Sequence, residues 1–388
     1  RGGELRYALE NTPPILAELE RYFGIAYPYD KLDVIAVPEK GGAMENPGLV
    51  TFREWLLLLE ESTAPIDQQR AFAYVMAHEL AHMWFGDLVT MPWWDDIWLN
   101  EAFATWMGYR AVHAWRPEHQ ADVSQLSGVY QAMSVDKLIS ARQIRQPVEN
   151  NDDIHNAFDR ITYRKGGGVL SMFERWLEPE VFRRGLSAYM KKHAHGSATA
   201  DDLLAALSEA ANKDVATPFR TFLFQPGLPH VEAEVSCGET AELKLKQSRY
   251  LPLGSKGDPN MLWQIPICVR WGFADDTSGE SCTLLSEASG SMPLPACPAW
   301  VMPNADAAGY YQWSLPADQL RAISGHGIGL LNVRERMSFA NAVQSAYAAG
   351  KLDYADALSL LLPLVDDFHP HVAGAPLALL SQSRQWML

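Results

Sequence analysis

No apolar run in the 388-residue chain approaches the 18 or so residues that span a bilayer. The longest candidate, residues 55–59, is far too short, so the sequence offers no membrane segment. Basic residues are scarce: 32 Lys and Arg stand against 47 Asp and Glu, a net charge of −15. This balance argues against nucleic acid as a partner, because gripping phosphates needs a basic face. Only four cysteines occur, Cys237, Cys268, Cys282 and Cys297, and none lies in a C-x-x-C pair. A cysteine-based zinc knuckle is therefore not expected. Their spacing permits one or two disulfides, although composition alone favours four buried thiols, and it fixes no cellular location. The opening residues Arg1-Gly2-Gly3-Glu4 contain neither an initiator Met nor a secretion signal, as expected of a piece of a longer protein.

What is present is ordinary globular material, 48% hydrophobic and 20% charged, long enough for two or three domains. Lys31 to Val37 alternates and is β-branched, which predicts a strand. Residues 68–85 place Phe72, Val75, Met76, Leu80 and Met83 at helical spacing, ending at Gly86-Asp87. A second helix is predicted over 97–115, with Asp95-Asp96 as its cap, and a third over 203–211, capped by Asp201-Asp202. Gly166-Gly167-Gly168 lacks the Lys-Ser/Thr of a phosphate loop and is expected to be a tight packing turn. Trp84, Trp93, Trp94, Trp98 and Trp106 are expected to pack the first two helices together. The texture changes at Gln225-Pro-Gly-Leu-Pro229: short alternating segments follow at 231–235, 242–246 and 265–271, as in a small β-sandwich. From about residue 315 the helical period returns, at 334–349 and 354–365, and the chain stops in mid-pattern. The expected fold class is α+β, with boundaries at 1–223, 224–314 and 315–388.

The residues that carry chemistry are His78-Glu79-Leu80-Ala81-His82. On a helix, positions i and i+4 share a face about 6 Å apart, so two imidazoles there can converge on one Zn²⁺. Glu79 lies one step round and can reach water at the ion without being a ligand. With 11 His in the chain, chance supplies roughly 0.02 such matches. A catalytic zinc needs a third protein ligand and one open position. Glu101, in Leu99-Asn100-Glu101-Ala102-Phe103, sits one turn into the next helix among apolar neighbours, where a carboxylate needs a partner. Asp87, Asp95 and Asp96 are nearer in sequence but fall at helix ends.

His-Glu-x-x-His followed after eighteen residues by Glu, within Asn100-Glu101-Ala102-Phe103-Ala104, resembles the M1 family of gluzincin aminopeptidases. Gly42-Ala43-Met44-Glu45-Asn46 matches that family's exopeptidase signature, and Ile161-Thr162-Tyr163-Arg164-Lys165-Gly166 its catalytic tyrosine segment, with Arg164 where the family usually has Glu. The resemblance implies a mainly helical, thermolysin-like zinc peptidase domain over 1–223. A β-sandwich and the first helices of a helical domain would follow it. It also implies one zinc per chain, and parent N- and C-terminal domains that are missing here.

The implied roles are these. His78, His82 and Glu101 hold the metal, Glu79 is the general base for water, and Tyr163 supports the oxyanion. Glu45 receives the substrate's free N-terminal ammonium, while Ala43, Met44 and Asn46 line the substrate strand. Asn100 is expected to help orient the substrate or Glu101. The substrate class is peptides with a free N-terminus. A zinc endopeptidase, an epoxide hydrolase of the same superfamily and a non-enzymatic scaffold are the competing expectations.

Overall fold

The computed structural model describes residues 1–387 and divides into two compact units, one formed by Arg1–Ala132 with Gln143–Phe224, the other by Met133–Arg142 with the chain from Gln225 onward. It mixes α and β, as expected, with helices dominating the first unit.

In the first unit, α1 (Arg6–Phe23) buries Tyr7, Ile15, Leu19 and Phe23 and ends at Gly24, whose φ of 63° is the left-handed stop that glycine allows. The sheet comes next. Strands β1 (Asp33–Val37), β2 (Ala43–Met44) and β3 (Leu49–Arg53) lie in the order β1-β3-β2, with β1 parallel and β2 antiparallel to β3. Thus, among the described residues, β2 keeps one edge free of strand partners. A short helix α2 (Glu54–Leu57) leads to α3 (Ile66–Ala81), which buries Phe72, Met76, His78, Glu79 and Leu80. The helix stops at Ala81, sooner than the apolar spacing predicts, and residues 82–86 form a turn before β4 (Val89–Thr90).

Helix α4 (Trp98–Trp115) packs against α3. Gly108 makes the approach close: a Cβ there would lie 3.2 Å from the His78 backbone nitrogen. The aspartates do not cap this helix. Asp95 and Asp96 instead pair with Arg145, at 2.6 and 2.7 Å, so charge pairing has taken them from the helix end. Trp84, Trp98 and Trp106 are fully buried, but Trp93 stays 47% exposed and donates to the Val148 carbonyl.

Beyond α5 (Ala121–Asp136), one π-helical turn, Ile161–Lys165, runs into α6 (Gly166–Leu177). The triple glycine is thus helical rather than a turn. A Cβ at Gly166 would sit 2.5 Å from the Ala102 Cβ, so its role is close contact between α6 and α4. Helices α7 (Pro179–His193), α8 (Ala200–Ala211) and α9 (Ala216–Leu223) complete the unit, with β5 (Gly196–Ser197) paired to β4. The α8 cap is Thr199, whose hydroxyl accepts from the Asp202 amide while Asp202 accepts in return; the aspartate is the far half of the capping box.

The second unit holds two sheets. One joins β6 (Pro229–Cys237), β7 (Ala241–Arg249), β10 (Ser289–Pro293) and β12 (Gln312–Ser314) in the order β10-β7-β6-β12. The other joins β8 (Ile265–Gly272), β9 (Ser278–Leu285) and β11 (Trp300–Met302) in the order β11-β8-β9. The cysteines are not free thiols: Cys237 pairs with Cys297, and Cys268 with Cys282 directly opposite it on β8 and β9. Composition misleads here because it cannot see that register brings the side chains together. Helices α10 (Ala317–Ala322), α11 (Val333–Ala348), α12 (Tyr354–Leu361), α13 (Pro370–Ala373) and α14 (Ala375–Met387) follow. Among the described residues, no helix is long and apolar enough to cross a membrane.

Candidate metal centre

Helix α3 presents His78 from its last turn, and His82 follows as the first residue beyond it. Their Nε2 atoms lie 3.1 Å apart, and one Glu101 oxygen, Oε2, is 3.4 Å from each. Around a tetrahedral zinc with bonds of roughly 2.0–2.1 Å, ligand atoms stand about 3.3–3.4 Å from one another. Two imidazole nitrogens and a carboxylate oxygen, all from buried residues, therefore fit one such ion. Among the described residues, the one other grouping of this kind contains Cys268 and Cys282, which are spent in a disulfide.

The turn after α3 orients the second imidazole. His82 Nδ1 is 3.0 Å from the Phe85 carbonyl oxygen, which fixes Nδ1 as the protonated nitrogen and leaves the Nε2 lone pair for an ion. Gly86, with φ of 127°, packs beneath this ring. A Cβ there would come within 3.0 Å of Asn100 Nδ2 and 3.5 Å of His82 Nδ1. Asn100 is thus buried against the turn that carries His82. The sequence hinted at neither the Phe85 carbonyl, a backbone group with no side-chain signature, nor the placement of Gly86, which reads in sequence as a helix stop.

Electrostatics follow from burial. Desolvation works against a charged Glu101, but its hydrogen bonds and charge interactions with His78 and His82 outweigh it and hold the carboxyl below the usual range. His82 shows the converse: burial opposes protonation, yet Glu101, Glu45 and Glu79 push it up to about 10. Burial dominates at His78, whose pKa falls. Glu79 is buried, with Oε2 lacking any hydrogen-bond partner, and desolvation pushes its carboxyl up to about 8. His82 and Lys40 oppose that rise, while Glu45 and Glu101 add to it.

Around this core, Glu45 reaches His82, with Oε1 3.9 Å from Nδ1. Tyr163, on the π-helical turn, stacks over His78 with ring centroids 6.2 Å apart. Burial first, then the charge of Glu101 and a hydrogen bond to it, push its phenol well above the ordinary range. Ala43 is half-buried on β2, whereas Met44 and Asn46 are exposed; the Asn46 carbonyl accepts from the Leu49 amide and its side chain joins no cluster. Arg164 points away from the centre, donating to Gln131. Asp87, absent from the expected site, is a half-buried carboxyl with one oxygen unpartnered; burial chiefly, with Glu45 adding, pushes it up to about 7.

The model of the peptidase family M1 domain matches residues 7–222, more than half the chain and the whole of this centre. The chain belongs to peptidase family M1. Aminopeptidase 2 of Candida albicans is 35% identical over 358 residues, which cover 92% of this chain and 38% of that protein. Aminopeptidase N of Lactococcus lactis is 41% identical over 279 residues, 71% of this chain and 32% of its own length. Human endoplasmic reticulum aminopeptidase 2 is 33% identical over 395 residues, covering 92% and 40% respectively. The similarity thus reaches well past the ligand triangle, yet this chain spans only 32–40% of these curated relatives.

Proposed function

We propose that the chain carries the centre of a zinc-dependent aminopeptidase, hydrolysing the N-terminal peptide bond of peptides. The observation that supports this most is the triangle of His78 Nε2, His82 Nε2 and Glu101 Oε2, with sides of 3.1–3.4 Å. Family membership and the aminopeptidase names of the relatives agree with it. His78, His82 and Glu101 would hold a zinc ion, which when bound would supply Lewis acidity to a water and to a carbonyl.

The protein's own groups do the rest. Glu79, whose buried Oε2 has no hydrogen-bond partner among the described residues, takes a proton from the attacking water and passes it to the leaving amine. Tyr163, whose phenol is held in its protonated form by burial and the neighbouring Glu101, donates to the developing oxyanion. Glu45, close to His82 but outside the ligand triangle, pairs with the substrate ammonium and so measures the distance from the N-terminus to the scissile bond. The free edge of β2 accepts the substrate backbone as an added strand.

The test is a zinc assay joined to a panel of aminoacyl fluorogenic substrates and their N-acetylated counterparts. We expect about one zinc per chain, cleavage of free amines only, and near-complete loss of turnover in Glu79→Gln with zinc retained. Acetylated substrates cleaved as readily as free ones would show an endopeptidase instead, and full turnover in Glu79→Gln would remove the assigned base.

A further inference from the structure

Lys40 precedes Gly41-Gly42 at the entry to β2. It is half-buried and makes no side-chain hydrogen bond or ion pair with any described residue. A lysine held in this way packs its methylene stem and leaves the ammonium available to a partner. The surroundings are acidic: Glu45, Glu79 and Glu101 cluster nearby, and Lys40 is close enough for its charge to be felt at the Glu79 carboxyl.

The strand geometry says which part of a substrate passes this residue. One edge of β2 is taken by β3, through Ala43↔Phe52 and Met44↔Thr51, and the Arg53 amide donates to the Gly42 carbonyl at 2.7 Å. A peptide on the free edge, with its ammonium at Glu45, runs antiparallel to β2 and back toward Gly41 and Lys40. Each residue advances it about 3.3 Å, so the end of a tripeptide falls within reach of a lysine side chain five positions before Glu45. Gly41 and Gly42 present no side chains here, and a Cβ built on either would meet no atom within 4 Å, so the surface beside them is open. Glu79 gives the same direction, because the group that hands a proton to the leaving amine must face that side of the scissile bond.

We propose that Lys40 receives a carboxylate from the leaving-group side of the substrate, supplied by the C-terminus of a short peptide or by an acidic side chain just beyond the scissile bond. This rests on the aminopeptidase assignment above. In a site lined by three glutamates a short peptide's carboxylate would otherwise be repelled. An unpaired ammonium offsets that repulsion and makes a charge-assisted contact.

The experiment is calorimetric binding to the zinc-loaded chain, using three phosphinic analogues of Ala-Ala-Ala in which a phosphinate replaces the first amide. One ends in a free carboxylate, one in a carboxamide, and one in a carboxamide with Asp as its second residue. We expect one or both carboxylate-bearing analogues to bind roughly 10-fold tighter than the plain carboxamide. That advantage should vanish in Lys40→Gln and return in Lys40→Arg, with carboxamide binding and thermal stability unchanged. Which analogue shows the advantage identifies the source of the carboxylate. Equal binding of all three to the parent chain, or an advantage that survives in Lys40→Gln, overturns the role of Lys40. Failure of all three to bind a fully zinc-loaded chain overturns the aminopeptidase assignment instead.

Discussion

Replacing Gly166 by alanine perturbs the centre without touching any reacting group. The added Cβ would lie 2.5 Å from the Ala102 Cβ, where ordinary contact needs at least 3.4 Å. Helices α4 and α6 must therefore separate by about 1 Å or distort, an overpacking cost of roughly 1–3 kcal/mol. Replacing helical glycine by alanine recovers about 0.5–1 kcal/mol, so the net effect is a destabilisation of up to about 2 kcal/mol. In a unit of this size that lowers Tm by up to roughly 8 °C. The same displacement moves Tyr163 on α6's leading turn away from Glu101 on α4. A misplacement of about 1 Å can cost on the order of 100-fold in rate. Gly167→Ala is the control. Its Cβ would meet the nearest atom, Thr105 Cγ2, at an ordinary 3.5 Å, so alanine there should be neutral or mildly stabilising. Thermal unfolding of both variants, with turnover on an aminoacyl substrate, checks the argument. Equal Tm values for Gly166→Ala and Gly167→Ala would refute it.

Glu101→Ala removes one side of the ligand triangle and leaves two buried imidazoles, so zinc content after dialysis should fall at least 10-fold, read by atomic absorption; full retention would remove Glu101 from the ligand set. Tyr163→Phe should keep zinc and fold but lower kcat by about 100-fold or more, the usual effect of losing one oxyanion donor, with little change in KM. In the metal-free protein the His82 pKa is raised from the usual imidazole value to about 10, so the imidazole is protonated at neutral pH. Zinc must displace that proton. Affinity should therefore rise about tenfold per pH unit from neutrality toward pH 10, and calorimetry at pH 8 in buffers of different ionisation enthalpy should register about one proton released. No proton release would contradict the charge assigned to His82.

The proposed metal ligands were legible because each obeys a local rule. His78 and His82 stand four apart in sequence, the spacing of one helical face, although the helix itself ends at Ala81, and Glu101 is an acidic residue among apolar neighbours in a helix that must be buried. Tyr163 and Glu45 became legible only through the resemblance, since a lone tyrosine or a glutamate in a glycine-rich turn has no local signature. Groups defined by tertiary approach stayed hidden: the Phe85 carbonyl, the seat of Gly86 under His82, the isolation of Lys40. The errors share that origin. Asp95 and Asp96 look like a helix cap until Arg145, about fifty residues on, claims them. Gly166-Gly-Gly168 looks like a turn until Ala102 supplies the reason for small residues in a helix. The cysteines look like core thiols until strand register pairs Cys268 with Cys282.

Because α3 ends at Ala81, one imidazole belongs to rigid helix and the other to the chain reversal after it. Readiness to capture an ion is therefore inherited from five residues, His82 to Gly86, and their hold on one ring through the Phe85 oxygen. Local loosening of that reversal would silence the centre while every helix remained intact, so metal uptake gauges a few peptide units rather than the folding of the whole.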